Sequence, residues 1–99
     1  MAEADADQLK RVVESQHGGT AMLVQSVPVR EKFWNTPVWQ GVVHIFDLTD
    51  NPNASRTYAW SSPINGSDER RFFAVLHGGP ITGPREAVRA AIMAERGIS

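Results

Sequence analysis

The side chains of this chain best suited to chemistry are His17, His44 and His77, and two of them stand in the same tripeptide, His17-Gly-Gly19 and His77-Gly-Gly79. An imidazole can shuttle protons or hold a metal, and glycines beside it let backbone amides approach a phosphate or an oxyanion. The spacing assembles neither. No histidine pair falls at i, i+4 on a helix, cysteine is absent, and no zinc-type cluster with acidic partners can be read. The second tripeptide lies in Leu76-His-Gly-Gly-Pro-Ile-Thr-Gly-Pro84, a glycine-rich stretch ahead of a helix of the kind that cradles phosphates. It lacks the lysine and the glycine spacing of such loops, and Pro80 and Pro84 remove donors. A G-x-S-x-G elbow, the companion of a His-Gly-Gly oxyanion loop, is absent too. Both tripeptides therefore read as places where the backbone needs glycine. His44 alternates with Val42 and Phe46 and reads as a buried histidine bonded to a neighbour. His77 ends a strand beside a loop, where it can share a face with Arg56 and Tyr58. No catalytic residue, metal ligand or cofactor is expected.

These groups must be positioned by a small set of elements. Leu9, Val12 and Val13 fall at i, i+3 and i+4 and predict a helix over 5–16, capped by Asp5 and closed by Gly18. His17 sits where a helix C-terminus favours partial positive charge. From Thr20 to Trp34 the odd positions Ala21, Leu23, Val27, Val29 and Phe33 are apolar, and period two means strand. Pro28 argues for a sheet edge or a bulge, splitting the segment into two short strands. Asn35-Thr36 turns the chain into a second strand, Val38 to Leu48, and Thr49 to Asn53 is a loop. Two further strands, Arg56 to Ser62 and Arg70 to His77, are joined through Asn65-Gly66, a hairpin signal. A last helix runs from Pro84 to Arg96, with Gly83 as cap, Pro84 at its first position, Glu86 reaching back and Gly97 at its end. Its stripe of Ala87, Val88, Ala91 and Ile92 is small enough for close approach to a sheet.

The expected fold is thus α+β, one domain over 1–99: a four-stranded antiparallel meander flanked by an N-terminal and a C-terminal helix, in the order α-β-β-β-β-α. Helices around such a sheet resemble the element order of the double-stranded-RNA-binding fold. That family's lysine cluster at the start of its second helix is replaced here by Pro84-Arg-Glu-Ala-Val-Arg89, so the resemblance carries no residue over.

A two-residue turn at Asn65-Gly66 sets Ile64 opposite Ser67, Tyr58 opposite Phe73 and Trp60 opposite Arg71. The same logic at Asn35-Thr36 groups Val27, Val29, Phe33, Val38, Val42, His44 and Phe46. Joining these to Ala59, Phe72, Ala74 and Leu76 makes one face, on which both helices are expected to lie. The other face then carries Trp39, Val43, Ile45, Tyr58, Trp60, Phe73 and Val75, ringed by Arg30, Lys32, Arg56, Arg71 and His77. Left open, an apolar face of that size marks an interface. One helix over each face is the arrangement that would leave no such patch.

The chain has 99 residues, 41% hydrophobic and 21% charged, with a formal net charge of −1, which disfavours nucleic acid as a partner. Neither a signal peptide nor a membrane span is read from it, so a cytoplasmic location is expected. The function read from these features is a small non-enzymatic interaction or ligand-binding module. It is expected to form a homodimer, with a small ligand or protein partner as the other options. Its contact residues are Trp39, Arg56, Tyr58, Trp60, Arg71, Phe73 and His77. The alternative is a small enzyme or small-molecule-binding protein with a pocket near the 77–83 loop, using His77 and Arg56.

Overall fold

The computed structural model of the chain describes residues 6–33, 36–63, 66 and 68–95. Its elements are α1 (Ala6–His17), β1 (Thr20–Phe33), β2 (Thr36–Thr49), β3 (Arg56–Pro63), β4 (Arg70–Leu76) and α2 (Pro84–Glu95). The strands form one antiparallel sheet in the order β1-β2-β3-β4. This is the α-β-β-β-β-α meander that the periodicity predicts. The expected cap at Asp5, the turn residue Asn35, the Ile64–Ser67 pairing and the stop at Gly97 lie outside the described residues.

The helices pack on opposite faces, correcting the expectation that both share one. Under α1, Leu9 and Val13 meet Ala21, Phe46, Leu48 and Ala59, with Phe72, Ala74 and Leu76 at the margin. Under α2, Ala87 and Val88 meet Val29, Val43, Ile45, Tyr58 and Trp60, with Val27, Trp39, Phe73 and Val75 alongside. Small residues permit both approaches. The sheet supplies them beneath α1, as Ala21, Ala59 and Ala74, whereas α2 brings its own, as Ala87 and Ala91.

One bulge in β1, at Val24, explains which apolar residue goes where; the ladder's second irregularity has its extra residue, Val38, on β2. Ala21 pairs with Leu48 and Leu23 with Phe46, but beyond a shift between Leu23 and Gln25 the partners are Gln25 with Ile45, Val27 with Val43 and Val29 with Gly41. Because cross-strand partners share a face and one extra residue reverses the alternation, Ala21 faces α1 while Val27 and Val29 face α2. The register expected from a turn at Asn35-Thr36 placed both valines with Phe46 and is off by one residue. Arg30 thereby leaves the aromatic face, and Glu31, paired with Trp39, takes the place beside it. Pro28 splits nothing: it pairs with Val42 in a continuous strand. That strand is an edge, where a missing N–H is tolerated.

The hairpin of β3 and β4 also shifts, by two residues, so that Trp60 opposes Phe73 and Tyr58 opposes Val75. A shift of two preserves faces, so the expected membership of the aromatic face on these strands stands. Between β2 and β3 the ladder covers only His44 to Asp47 against Arg56 to Ala59. Beyond it, Trp39 bridges the strands by donating from Nε1 to Ser62 Oγ at 2.7 Å. Its ring lies over Gly41, where a Cβ would stand 2.8 Å from the indole.

The two His-Gly-Gly segments have separate conformational reasons. Gly18 (φ 81°) closes α1, its N–H donating to the Glu14 carbonyl at 3.0 Å, and Gly19 (φ 78°) brings the chain against Thr49. Gly78 (φ 151°) and Gly79 (φ 56°) shape the turn in which Gly78 and Ile81 exchange backbone hydrogen bonds of 2.9 Å. His17 stands in the last turn of α1, and its Nε2 lies 2.8 Å from the Ala74 carbonyl, which ties α1 to β4.

Candidate functional site

The structure brings the seven expected contact residues onto one face and divides them into two groups. Across the strands runs an aromatic row: Trp39 meets Trp60 at 6.0 Å, tilted, and Trp60 stacks on Phe73 at 5.1 Å with an angle of 10° between the rings. The Arg71 guanidinium lies 5.1 Å from the centre of the Phe73 ring, in cation–π position. Toward the other end of the strands, the Tyr58 hydroxyl lies 2.8 Å from His77 Nδ1. Arg56 is nearby on β3 but turns to Asp47, its Nε donating to Oδ1 at 3.0 Å.

The aromatic face is roofed by α2. Tyr58 and Trp60 are each only 2% exposed, while Trp39 and Phe73 are half-buried and Arg71, Arg56 and His77 reach solvent. Burial pushes the Tyr58 hydroxyl above its ordinary value, with Arg56 opposing and Glu86 adding to the rise. The phenol therefore stays protonated and is able to donate to Nδ1. His44 is bonded to Ser26 Oγ through Nδ1 at 2.8 Å, as expected, but it is half-buried rather than buried. Among the described residues no group of three His, Cys, Asp or Glu could hold a metal ion. No helix is long and apolar enough to cross a membrane.

Sequence reasoning missed the group that holds the roof down. Glu31, 6% exposed, accepts from Arg89 Nε at 2.5 Å and lies 3.4 Å from Arg85 Nε. This carboxylate on β1 thus clamps the first two turns of α2, and it raises the Arg89 pKa further by hydrogen bond and charge. Arg85 and Arg89, the arginines at the start of the second helix, are thereby committed within the fold. The available signal was an acid at an odd, otherwise apolar position of β1.

The second missed feature is the rim. The exposed large hydrophobics include Met22 at 65%, Leu23 at 42% and Val24 at 45%, consecutive on the edge strand β1. Four apolar residues in a row, Ala21 to Val24, break the period-two pattern and could have signalled a bulge. At the other edge an open groove of about 460 Å³ runs between α1 and β4, lined by Gln8, Arg11, Val12, Ser15, Gln16 and Phe72.

Comparison of the chain with protein-family models, with curated proteins and with solved structures found no match in any of the three.

Proposed function

We propose that the protein is a non-enzymatic interaction module that self-associates through the edge of β1 rather than through the aromatic face. The observation that carries this reading is the exposed run Met22-Leu23-Val24 on an open edge strand. Unprotected apolar edges template pairing with another chain, and proteins blunt them with proline and charge. β1 is blunted in its second half by Pro28, Arg30 and Lys32, and at its start the charged Glu14 of α1 takes the Ala21 amide, which leaves Met22 to Val27 without either. From Thr20 to Pro28 it carries no charged side chain. A neutral segment suits a second copy of itself and offers nothing to a charged partner. Antiparallel pairing about a two-fold axis at Leu23 sets Thr20 opposite Ser26 and Met22 opposite Val24, and leaves Pro28 beyond the paired residues.

The test is the solution mass by light scattering over a dilution series, for the parent chain and for the double variant Met22→Lys/Val24→Lys, which sets like charges opposite one another. The parent is expected to pass from dimer to monomer on dilution, and the variant to remain monomeric with its melting temperature nearly unchanged. A parent that is monomeric throughout, or a variant with the parent's mass, rejects the interface.

A further inference from the structure

The other edge of the sheet, β4, which no further strand pairs among the described residues, has different chemistry. The His77 N–H donates to the Arg56 carbonyl at 2.9 Å, which extends the β3–β4 register with a hydrogen-bonded pair. Alternation in an antiparallel ladder then makes Tyr58–Val75 and Trp60–Phe73 hydrogen-bonded pairs, and Ala59–Ala74 and Ser61–Phe72 the non-bonded ones. The N–H and C=O of Phe72 and Ala74 therefore point away from β3, toward the open edge. The His17 contact agrees with this, because its imidazole reaches the outward carbonyl of Ala74. That contact blunts one end of the edge and leaves the Phe72 amide and carbonyl and the Ala74 amide facing outward.

Above this edge stands one flank of α1. Gln8, Arg11, Val12, Ser15 and Gln16 recur at helical spacing along it, and with Phe72 they line the groove. The opposite flank is committed to β1, where Glu14 pairs with Lys10 and accepts the Ala21 amide at 2.8 Å. Arg11 differs from the arginines of α2: it is exposed and engages no carboxylate among the described residues. A strand edge with outward backbone groups, an apolar floor of Val12 and Phe72, a helix as wall and an uncommitted cation together match the geometry of strand addition beside a helix.

We infer that the groove between α1 and the free edge of β4 is a docking site for an extended peptide carrying an acidic side chain. The peptide adds to β4 through the Phe72 and Ala74 backbone, lays an apolar side chain on Val12 and Phe72, and sets its carboxylate against Arg11. The site uses the edge opposite the self-association surface, so either can fail without the other.

The test is an NMR titration of the uniformly nitrogen-labelled full chain with two probes, the acetylated and amidated peptides TVEVTV and TVKVTV. Saturable shifts are expected at the Phe72 and Ala74 amides and along the Arg11 flank of α1, with the glutamate peptide bound about fivefold more tightly, as one partly shielded ion pair provides. Arg11→Glu should reverse the order of the two peptides. Ala74→Pro removes an outward donor while keeping the pairing with β3, and should abolish the shifts; Arg11→Glu alone suffices should that variant not fold. Shifts confined to β1, equal binding of the two peptides, or no saturable shift would each overturn the inference. So would concentration-dependent shifts at Phe72 without peptide, which would give the groove to a second copy of the chain.

Discussion

At the scale of single residues, Tyr58 and His77 join the layer beneath α2 to solvent, for the phenol is buried and its imidazole partner exposed. Burial keeps the phenol neutral, so the folded-state pKa lies above the unfolded one. The stability this supplies is fully present below the ordinary tyrosine value of about 10 and is lost as pH rises through the higher folded value. Tyr58→Phe should cost about 1 kcal/mol at neutral pH, the worth of one hydrogen bond whose remaining partner can turn to water. The same variant should lose much of the parent's steepening of instability above about pH 10. Since the chain has one tyrosine, phenolate absorbance reads the titration directly. A phenol ionising at or below its ordinary value would remove the argument. Strand parity placed Tyr58, His77 and Arg56 on one face correctly. It could not give Arg56 its partner, because parity fixes a face and the rotamer chooses between neighbours such as Asp47.

At the scale of elements, the first His-Gly-Gly separates two demands on glycine. Gly18 and Gly19 both hold positive φ, but a Cβ on Gly18 would meet open space, whereas one on Gly19 would stand 2.4 Å from the Thr49 carbonyl oxygen. Gly18→Ala should therefore cost about 1 kcal/mol, the penalty of the left-handed backbone alone. Gly19→Ala should cost about 3 kcal/mol or more, because strain and collision add where β1 begins against β2. Urea midpoints of the two variants check the order, and equal midpoints would contradict the close approach. The existence and order of the elements were legible because alternation, helical spacing and Gly or Pro punctuation are local. What was not legible is how β1 divides its apolar residues. Ala21 and Val27 are both odd, yet the bulge at Leu23/Gln25 sends them to opposite faces. A bulge is decided by partners on β2 and by what each helix covers, so position along β1 alone could not reveal it.

At the scale of the whole molecule, each face of a four-stranded sheet has one helix, and the apolar side chains left over gather at the rim. The sequence assembled the aromatic face with its residues nearly complete and left it open, because the smallest sheet residues gather on the other side, where a helix can approach closely. In the fold α2 carries the small residues itself, and Glu31 anchors it through Arg85 and Arg89. Trp60 is consequently a core residue whose ring stacks on Phe73 and lies beneath the helix. Trp60→Ala should cost about 3–5 kcal/mol, as truncating a buried indole leaves a cavity between sheet and helix. That is a large part of the roughly 5–15 kcal/mol by which a domain is ordinarily stable. The variant should melt far below the parent or be unfolded outright. Met22→Lys/Val24→Lys should do the reverse, leaving the melting temperature of the monomer in place while changing the assembly. Thermal unfolding and solution mass measured together on both variants separate core from interface. A Trp60→Ala variant that melts like the parent but loses its partner would return the interface to the aromatic face, and would require α2 to leave that face on association.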